Sequence, residues 1–220
     1  MPEFIIRCLR WGYWLGILFC CYLMLLITLQ YVPLDFEVAF LATKQTEIQW
    51  LHYKIAFFTH VYTSVFVLLA GLFQFSKTIR RKYPKLHRVM GYVYGFGLLV
   101  LAAPSGLVMG FYGNGGVLSK IAFCFLAIFW WFFTAKALWY AKQRDWIQHQ
   151  NYMYRSYALT LSAITLRLLK PILVSTTSLE PMQIYTTIAW AGWVLNWIVA
   201  EIVILNFKTD ISHVNLRIWD

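Results

Sequence analysis

The sequence predicts an all-α integral membrane protein, one bundle of six transmembrane helices with both termini in the cytoplasm. Three observations predict it. Of 220 residues, 60% are hydrophobic, 19% aromatic and only 13% charged, whereas about a quarter of a soluble domain is charged. Six stretches each supply the ~20 mostly apolar residues needed to cross ~30 Å of hydrocarbon. Positive charge, finally, is concentrated in alternate connections. The net charge of +10 therefore reads as membrane orientation, and no nucleic-acid partner is expected.

Residues 1–220 read as a single membrane domain, with core helices over about 55–207 and helix one, about 11–31, at the periphery. The first span runs from Trp11 to Tyr31. It is too long for a signal-peptide core and no small-residue cleavage site follows, so it is expected to be retained. The second span is Ile55 to Ser76 and the third Val89 to Tyr112. Pro104 in the third predicts a kink whose freed carbonyl must be satisfied by neighbours. The fourth is Leu118 to Tyr140, the fifth Tyr152 to Ser175 and the sixth Gln183 to Phe207. Asn114-Gly115-Gly116 is a tight turn, which makes helices three and four antiparallel neighbours. The connection over 32–54 is long enough for a small cap or surface helix. Cys8, Cys20, Cys21 and Cys124 match neither a disulfide framework nor a zinc site and read as packing residues.

The charge count sets the orientation. One side holds Arg7 and Arg10, then Lys77, Arg80, Arg81, Lys82, Lys85 and Arg88, then Lys142, Arg144 and Arg155, and finally Lys208 and Arg217. Against these thirteen stand only Lys44, Lys54 and Lys120, in company with Asp35, Glu37, Glu47 and Glu180. The positive-inside rule then places both termini in the cytoplasm.

An ionisable group at membrane depth costs ~2.5–3.5 kcal/mol on insertion scales, so each one needs a reason. In helix two, His60, Ser64, Val67, Gly71 and Gln74 fall on one helical stripe. In helix five, His149, Met153, Ser156, Thr160 and Arg167 fall on another. A polar stripe on a greasy helix faces the bundle interior or a water-filled cavity. The two stripes are therefore expected to share an interior. Its outer level would hold His60, Ser64 and Arg167, with Lys170 adding positive charge. Its inner level would hold His87, His149, Arg155 and Glu201. Packing is the plainer account of Ser64, Ser156 and Thr160. Arg155 with Glu201 reads equally well as a buried pair, and the two inner histidines as phosphate contacts.

Two depth-matched histidines on separate helices, His87 and His149, also suit the axial ligation of one b-type haem. Gly91 and Gly95 would leave room for a flat macrocycle, and Arg88 or Arg155 would neutralise its propionates. This arrangement resembles cytochromes of the b561 type, which pair ligands from helices three and five and again from two and four. Helix four has no histidine here, so a second haem is not expected. On this reading the protein is a redox carrier, and His60, Ser64, Arg167 and Lys170 form an outer site for a quinone or small anionic donor. The alternative is a cofactor-free protein that binds or transports a small anionic ligand or lipid through the same polar interior. Whether it is an enzyme, a homo-oligomer or the companion of a partner subunit stays open. No HExxH, phosphate loop, GxGxxG, Cys/His cluster, hydrolytic triad or pair of broken helices is apparent.

Four segments carry a family resemblance. They are THVYTSVFVLLAGLFQF from Thr59, RRKYPKLHRVMGYVY from Arg80, HQNYMYRSYALTLSAITLRL from His149 and WVLNWIVAEIVI from Trp193. Together they resemble a family of bacterial multi-pass membrane proteins catalogued as domain of unknown function 2306. The resemblance implies a bacterial inner-membrane protein embedded in the lipid bilayer, without implying a particular activity. It points at His60, Ser64, Gln74, His87, Arg88, Gly91, His149, Met153, Arg155, Ser156, Arg167, Asn196 and Glu201. Gln74, Asn196 and Glu201 are expected to be structural polar residues. The chain departs from the pattern at Leu72, where the family usually has a proline, so a kink is not expected there.

Overall fold

The structure, a computed structural model, describes residues 3–216, with side chains described except at 3, 4, 6, 7, 9, 10, 13, 77 and 207–216. Arg7, Arg10, Lys77, Lys208 and Arg217 of the charge count, and His213, lie outside the described side chains. Every regular element among the described residues is helical. In order they are α1 (Glu3–Leu29), two short 3-10 turns, α2 (Leu51–Gln74), α3 (Lys77–Lys82) and α4 (Pro84–Phe96). A π-helical stretch, Gly97–Ala102, joins α4 to α5 (Ala103–Phe111). Then come α6 (Gly116–Lys142), α7 (Trp146–Thr160), α8 (Ser162–Thr176) and α9 (Pro181–Leu216). Among the described residues, five segments are long and apolar enough to cross a membrane: Leu51–Gln74, Pro84–Phe111, Gly116–Lys142, Trp146–Thr176 and Pro181–Asn206. The expected first span is helical, but its described apolar part, Trp14–Leu29, is shorter than these.

Local chemistry sets the boundaries. Ser76 accepts from the Ile79 N–H (3.3 Å) to cap α3, which is the basic connection itself. Pro84 occupies the first turn of α4, where its missing N–H costs nothing. Asp145 caps α7 by accepting from the Gln148 N–H (3.1 Å). Gly115 and Gly116 take φ of +83° and +78°, a region that disfavours side chains. The turn brings α5 and α6 together as neighbours, as expected. α2 runs unbroken past Leu72, also as expected.

Two of the five spans depart from a regular α-helix, the third next to the Pro104 at which a kink is expected. In the third span, Pro104 has no N–H to give to a carbonyl in the turn before it. The chain answers with the π stretch just upstream, and the Trp131 indole donates to the Leu99 carbonyl (3.2 Å). In the fifth span the helix breaks at Leu161. Here hydroxyls compete for backbone acceptors: Thr160 donates to the Ser156 carbonyl (3.1 Å) and Ser162 to the Leu159 carbonyl (2.6 Å), a pattern that bends helices. Asn196 of α9 spans the break. Its Nδ2 donates to the Ala158 carbonyl (3.1 Å) and its Oδ1 accepts from Thr165 Oγ1 (3.0 Å). Sequence spacing alone shows only a polar residue on α9.

The main core gathers Val67, Tyr94, Leu98, Trp130, Met153, Tyr157, Leu159 and Trp193. Gly71 is its tightest crossing, because a Cβ there would lie 2.2 Å from Tyr157 Cε2. Tyr157 lies over α2 at that point and donates to the Leu68 carbonyl (3.2 Å). Gly71→Ala must displace that ring, an overpacking that costs ~1–3 kcal/mol. The expected outcome is a lower melting temperature in detergent, restored in part by Tyr157→Leu in the same chain.

Residues 30–50 form the expected cap. Its two 3-10 turns, Ala39–Thr43 and Glu47–Gln49, set Leu41 and Ile48 against Tyr31, Tyr53 and Phe57 in a second apolar cluster. Lys44, only 2% exposed, locks it by donating to Glu47 Oε1 (2.8 Å) and to the Tyr112 carbonyl. Burial pushes the Glu47 carboxyl up, but the hydrogen bond from Lys44, its own backbone N–H and the charges of Lys44 and Lys120 together outweigh it and hold the carboxyl below its ordinary value. That stabilisation is complete above the ordinary carboxylate pKa of about 4.3 and is lost as pH falls through the lower folded value. Glu47→Gln should therefore lower the melting temperature at pH 7 and flatten its fall below about pH 4.

Candidate functional site

The two interruptions open a cavity at the cap end of the bundle. Below Leu161 the fifth span packs closely on α6, whereas α8 packs chiefly on α9, with lesser approaches to α7 and α1. Between α8 and the helices it has left lies a cavity of about 300 Å³. His60, Ser64 and Arg167 all line it. His60 and Arg167 each lie nine residues from the cap end of their helices, Leu51 and Thr176, or roughly 13 Å along the axis.

His60 is seated by the third span. Its Nδ1 bonds the Ala102 carbonyl (2.8 Å), and Gly106 makes room for the ring, since a Cβ there would lie 2.9 Å from His60 Cε1. Ser64, one turn further on, keeps a buried Oγ with no hydrogen-bond partner in the protein. Arg167 turns its Nη1 back onto the Ala163 carbonyl (2.8 Å), and no described carboxylate lies within ion-pair distance of it. Tyr31 and Phe40 close the cap end, Thr160 and Trp130 the opposite end, and Met24, Ile27 and Thr28 of α1 supply a side wall. Lys170, expected beside Arg167, does not line the cavity; both side chains are exposed, and Lys170 lies about one turn nearer the end of α8.

Beneath the cavity lies a closed hydroxyl network. Tyr94 Oη bonds Ser156 Oγ (2.6 Å) and Thr160 Oγ1 (2.9 Å), the Trp130 indole donates to Thr160 Oγ1 (2.9 Å), and Thr134 Oγ1 meets Ser156 Oγ (2.6 Å). Ser156 and Thr160 belong to the predicted stripe. Tyr94, Trp130 and Thr134 do not, and a single Thr among the aromatic residues of α6 was the signal available for that helix. With every member bonded, the network reads as a rigid interior floor.

His87 and His149 stand in the first turns of α4 and α7, at the basic end. His149 donates Nδ1–H to the Ala137 carbonyl (2.8 Å), which leaves Nε2 as its acting nitrogen, while the buried Nδ1 of His87 has no protein partner. The residues expected to cradle a macrocycle are otherwise engaged. A Cβ on Gly91 would stand 3.4 Å from Gln74 Oε1, and one on Gly95 would stand 2.7 Å from Leu138 Cδ1, so side chains of α2 and α6 fill the space beside both glycines. Gln74 is buried there and donates to the His87 carbonyl (3.3 Å). Arg155 forms a fork with Glu201 of α9 (2.6 and 2.7 Å), which also accepts from the Trp197 indole (2.8 Å). Arg88 is exposed.

Comparison with known families agrees with the four segments named above. The family described as Predicted membrane protein (DUF2306) matches residues 57–204, about two-thirds of the chain. No curated protein and no solved structure matches. The matched region contains both interrupted spans, the cavity histidine and arginine, and the Asn196 staple. This chain belongs to the DUF2306 family of predicted membrane proteins.

Proposed function

We propose that this protein sits in a bacterial inner membrane as a six-span bundle with both termini cytoplasmic, and that it binds a small anionic ligand or lipid in its cap-end cavity. The thirteen-to-three distribution of Lys and Arg supports the orientation, and α1, helical and apolar over Trp14–Leu29, supports the sixth span. The observation that carries the binding reading is an arginine without an acid partner, lining the same cavity as an unpartnered serine hydroxyl and a histidine. Polar groups at membrane depth are costly and mark ligand paths. A bound anion would satisfy Arg167 and Ser64 together.

Mass spectrometry of organic extracts from the purified protein tests this. The wild type should carry an anionic species that is depleted about tenfold or more in Arg167→Ala, since a hydrogen bond to a charged group contributes ~1.5–3 kcal/mol. Identical extracts from both proteins, with unchanged melting, would sink the reading.

The redox reading is kept apart by a second experiment. Its specific support is the histidine pair, each with a ring nitrogen left for a ligand. The binding reading expects a colourless protein after expression with ample haem. A Soret band in the reduced-minus-oxidised spectrum, lost in both His87→Ala and His149→Ala, would install a haem between them instead.

A further inference from the structure

The hydrogen-bonding groups around Arg167 select among anions. A carbonyl only accepts, so the His60 Nδ1 bonded to Ala102 carries the ring proton and the neutral ring offers a lone pair at Nε2. Arg167 offers donors only, and Ser64 Oγ can act either way. A head group that suits all three must accept from the guanidinium and also share a proton with Nε2. Ionised carboxylates, sulfates and phosphodiesters bring no such proton. A phosphate monoester does: with a second pKa of about 6 it keeps one P–OH as the monoanion, which can donate to Nε2 while its other oxygens accept from the guanidinium.

Most of the remaining lining is apolar, including Met24, Ile27, Val61, Leu126, Leu159 and Leu166, with Thr28, Tyr31, Thr160, Ser162 and Tyr185 as further hydroxyl residues. At about 300 Å³ the cavity stands at the small end of ligand pockets, ~300–1,000 Å³. It has room for a head group and part of one chain, not for a two-chain lipid. α1 and α8 bring Thr28 and Arg167 to its wall yet approach each other only lightly. Both helices expose apolar side chains outward, among them Leu26 and Leu168, as bilayer-facing helices do.

We propose that the cavity takes the head group of a phosphate monoester carrying a single apolar chain, and that the chain runs out between α1 and α8 into the bilayer. This rests on the binding reading above and names its ligand class. The full-length protein in nanodiscs of neutral lipid is titrated with lauroyl lysophosphatidic acid, lauroyl lysophosphatidylcholine and inorganic phosphate, and binding is followed by tryptophan fluorescence. The monoester lipid should bind at least tenfold more tightly than the choline diester and a hundredfold more tightly than inorganic phosphate. Arg167→Gln should erase the preference for the monoester. Thr28→Trp, which narrows the seam and leaves the arginine in place, should weaken the monoester lipid about tenfold.

Equal binding of the two lipids, lost in Arg167→Gln, overturns the monoester and leaves the binding reading standing. Inorganic phosphate as tight as the lipid overturns the chain and its exit, again with the anion site intact. If none of the three binds, the proposal falls, and the extraction experiment alone decides the broader reading. Should Arg167→Gln fail to fold, the affinity ratios of the wild type still decide between these outcomes.

Discussion

The whole arrangement depends on one constraint: inside a bilayer, every backbone carbonyl must find a donor from within the protein. An unbroken helix meets this by itself, as α2 and α6 do. The third and fifth spans do not, and each borrows donors from its neighbours. Trp131 answers for Leu99 beside the π stretch, His60 adds a bond to Ala102, and Asn196 holds Ala158 across the break at Leu161. Helix positions are thereby fixed by directional bonds as well as by packing, which in lipid has little hydrophobic drive of its own.

The cavity follows from those same bonds. Because the fifth span changes direction at Leu161, α8 leaves the helices that α7 grips, and space opens where they part. His60 serves two purposes. Its Nδ1 ties α2 to the third span at Ala102, and that tie orients the ring so that Nε2 is the nitrogen left over. Gly106 is required because the ring occupies the place of its side chain. At the other end of the bundle the polar residues are spent on one another, Arg155 on Glu201 and Gln74 on the His87 backbone. The two ends thus differ in their arginines: Arg155 has its carboxylate, whereas Arg167 has none among the described residues.

Much of this was legible in the residues themselves. The positions of five spans, the Asn114–Gly116 turn, the cap and the inward direction of the stripes as far as Thr160 follow from composition and helical spacing, which depend on local rules. His60, Ser64 and Arg167 stand out because a polar group at that depth is expensive wherever it points. What escaped was anything decided by a partner distant in sequence. The break at Leu161 lies in a run of hydroxyl residues that would also suit a straight helix. Gly91 and Gly95 were legible as small, but not as the seats of Gln74 and Leu138. Lys170 illustrates the same limit, since proximity to Arg167 along the chain did not bring it to the cavity. Asn196 could be marked as polar and structural, while its two partners across the bend could not.

The bend also bears on the fit between protein and membrane. The fifth span covers Trp146–Thr176, 31 residues, which drawn out straight would measure roughly 46 Å at 1.5 Å per residue. The hydrocarbon layer is ~30 Å thick, and a segment that exceeds it must tilt, bend or thicken the bilayer around it. The helix breaks at Leu161, which gives a segment of this length a joint, and Leu159, Thr160 and Ser162 beside that joint line the cavity, so the thickness of the surrounding lipid and the width of the cavity bear on one point of the chain.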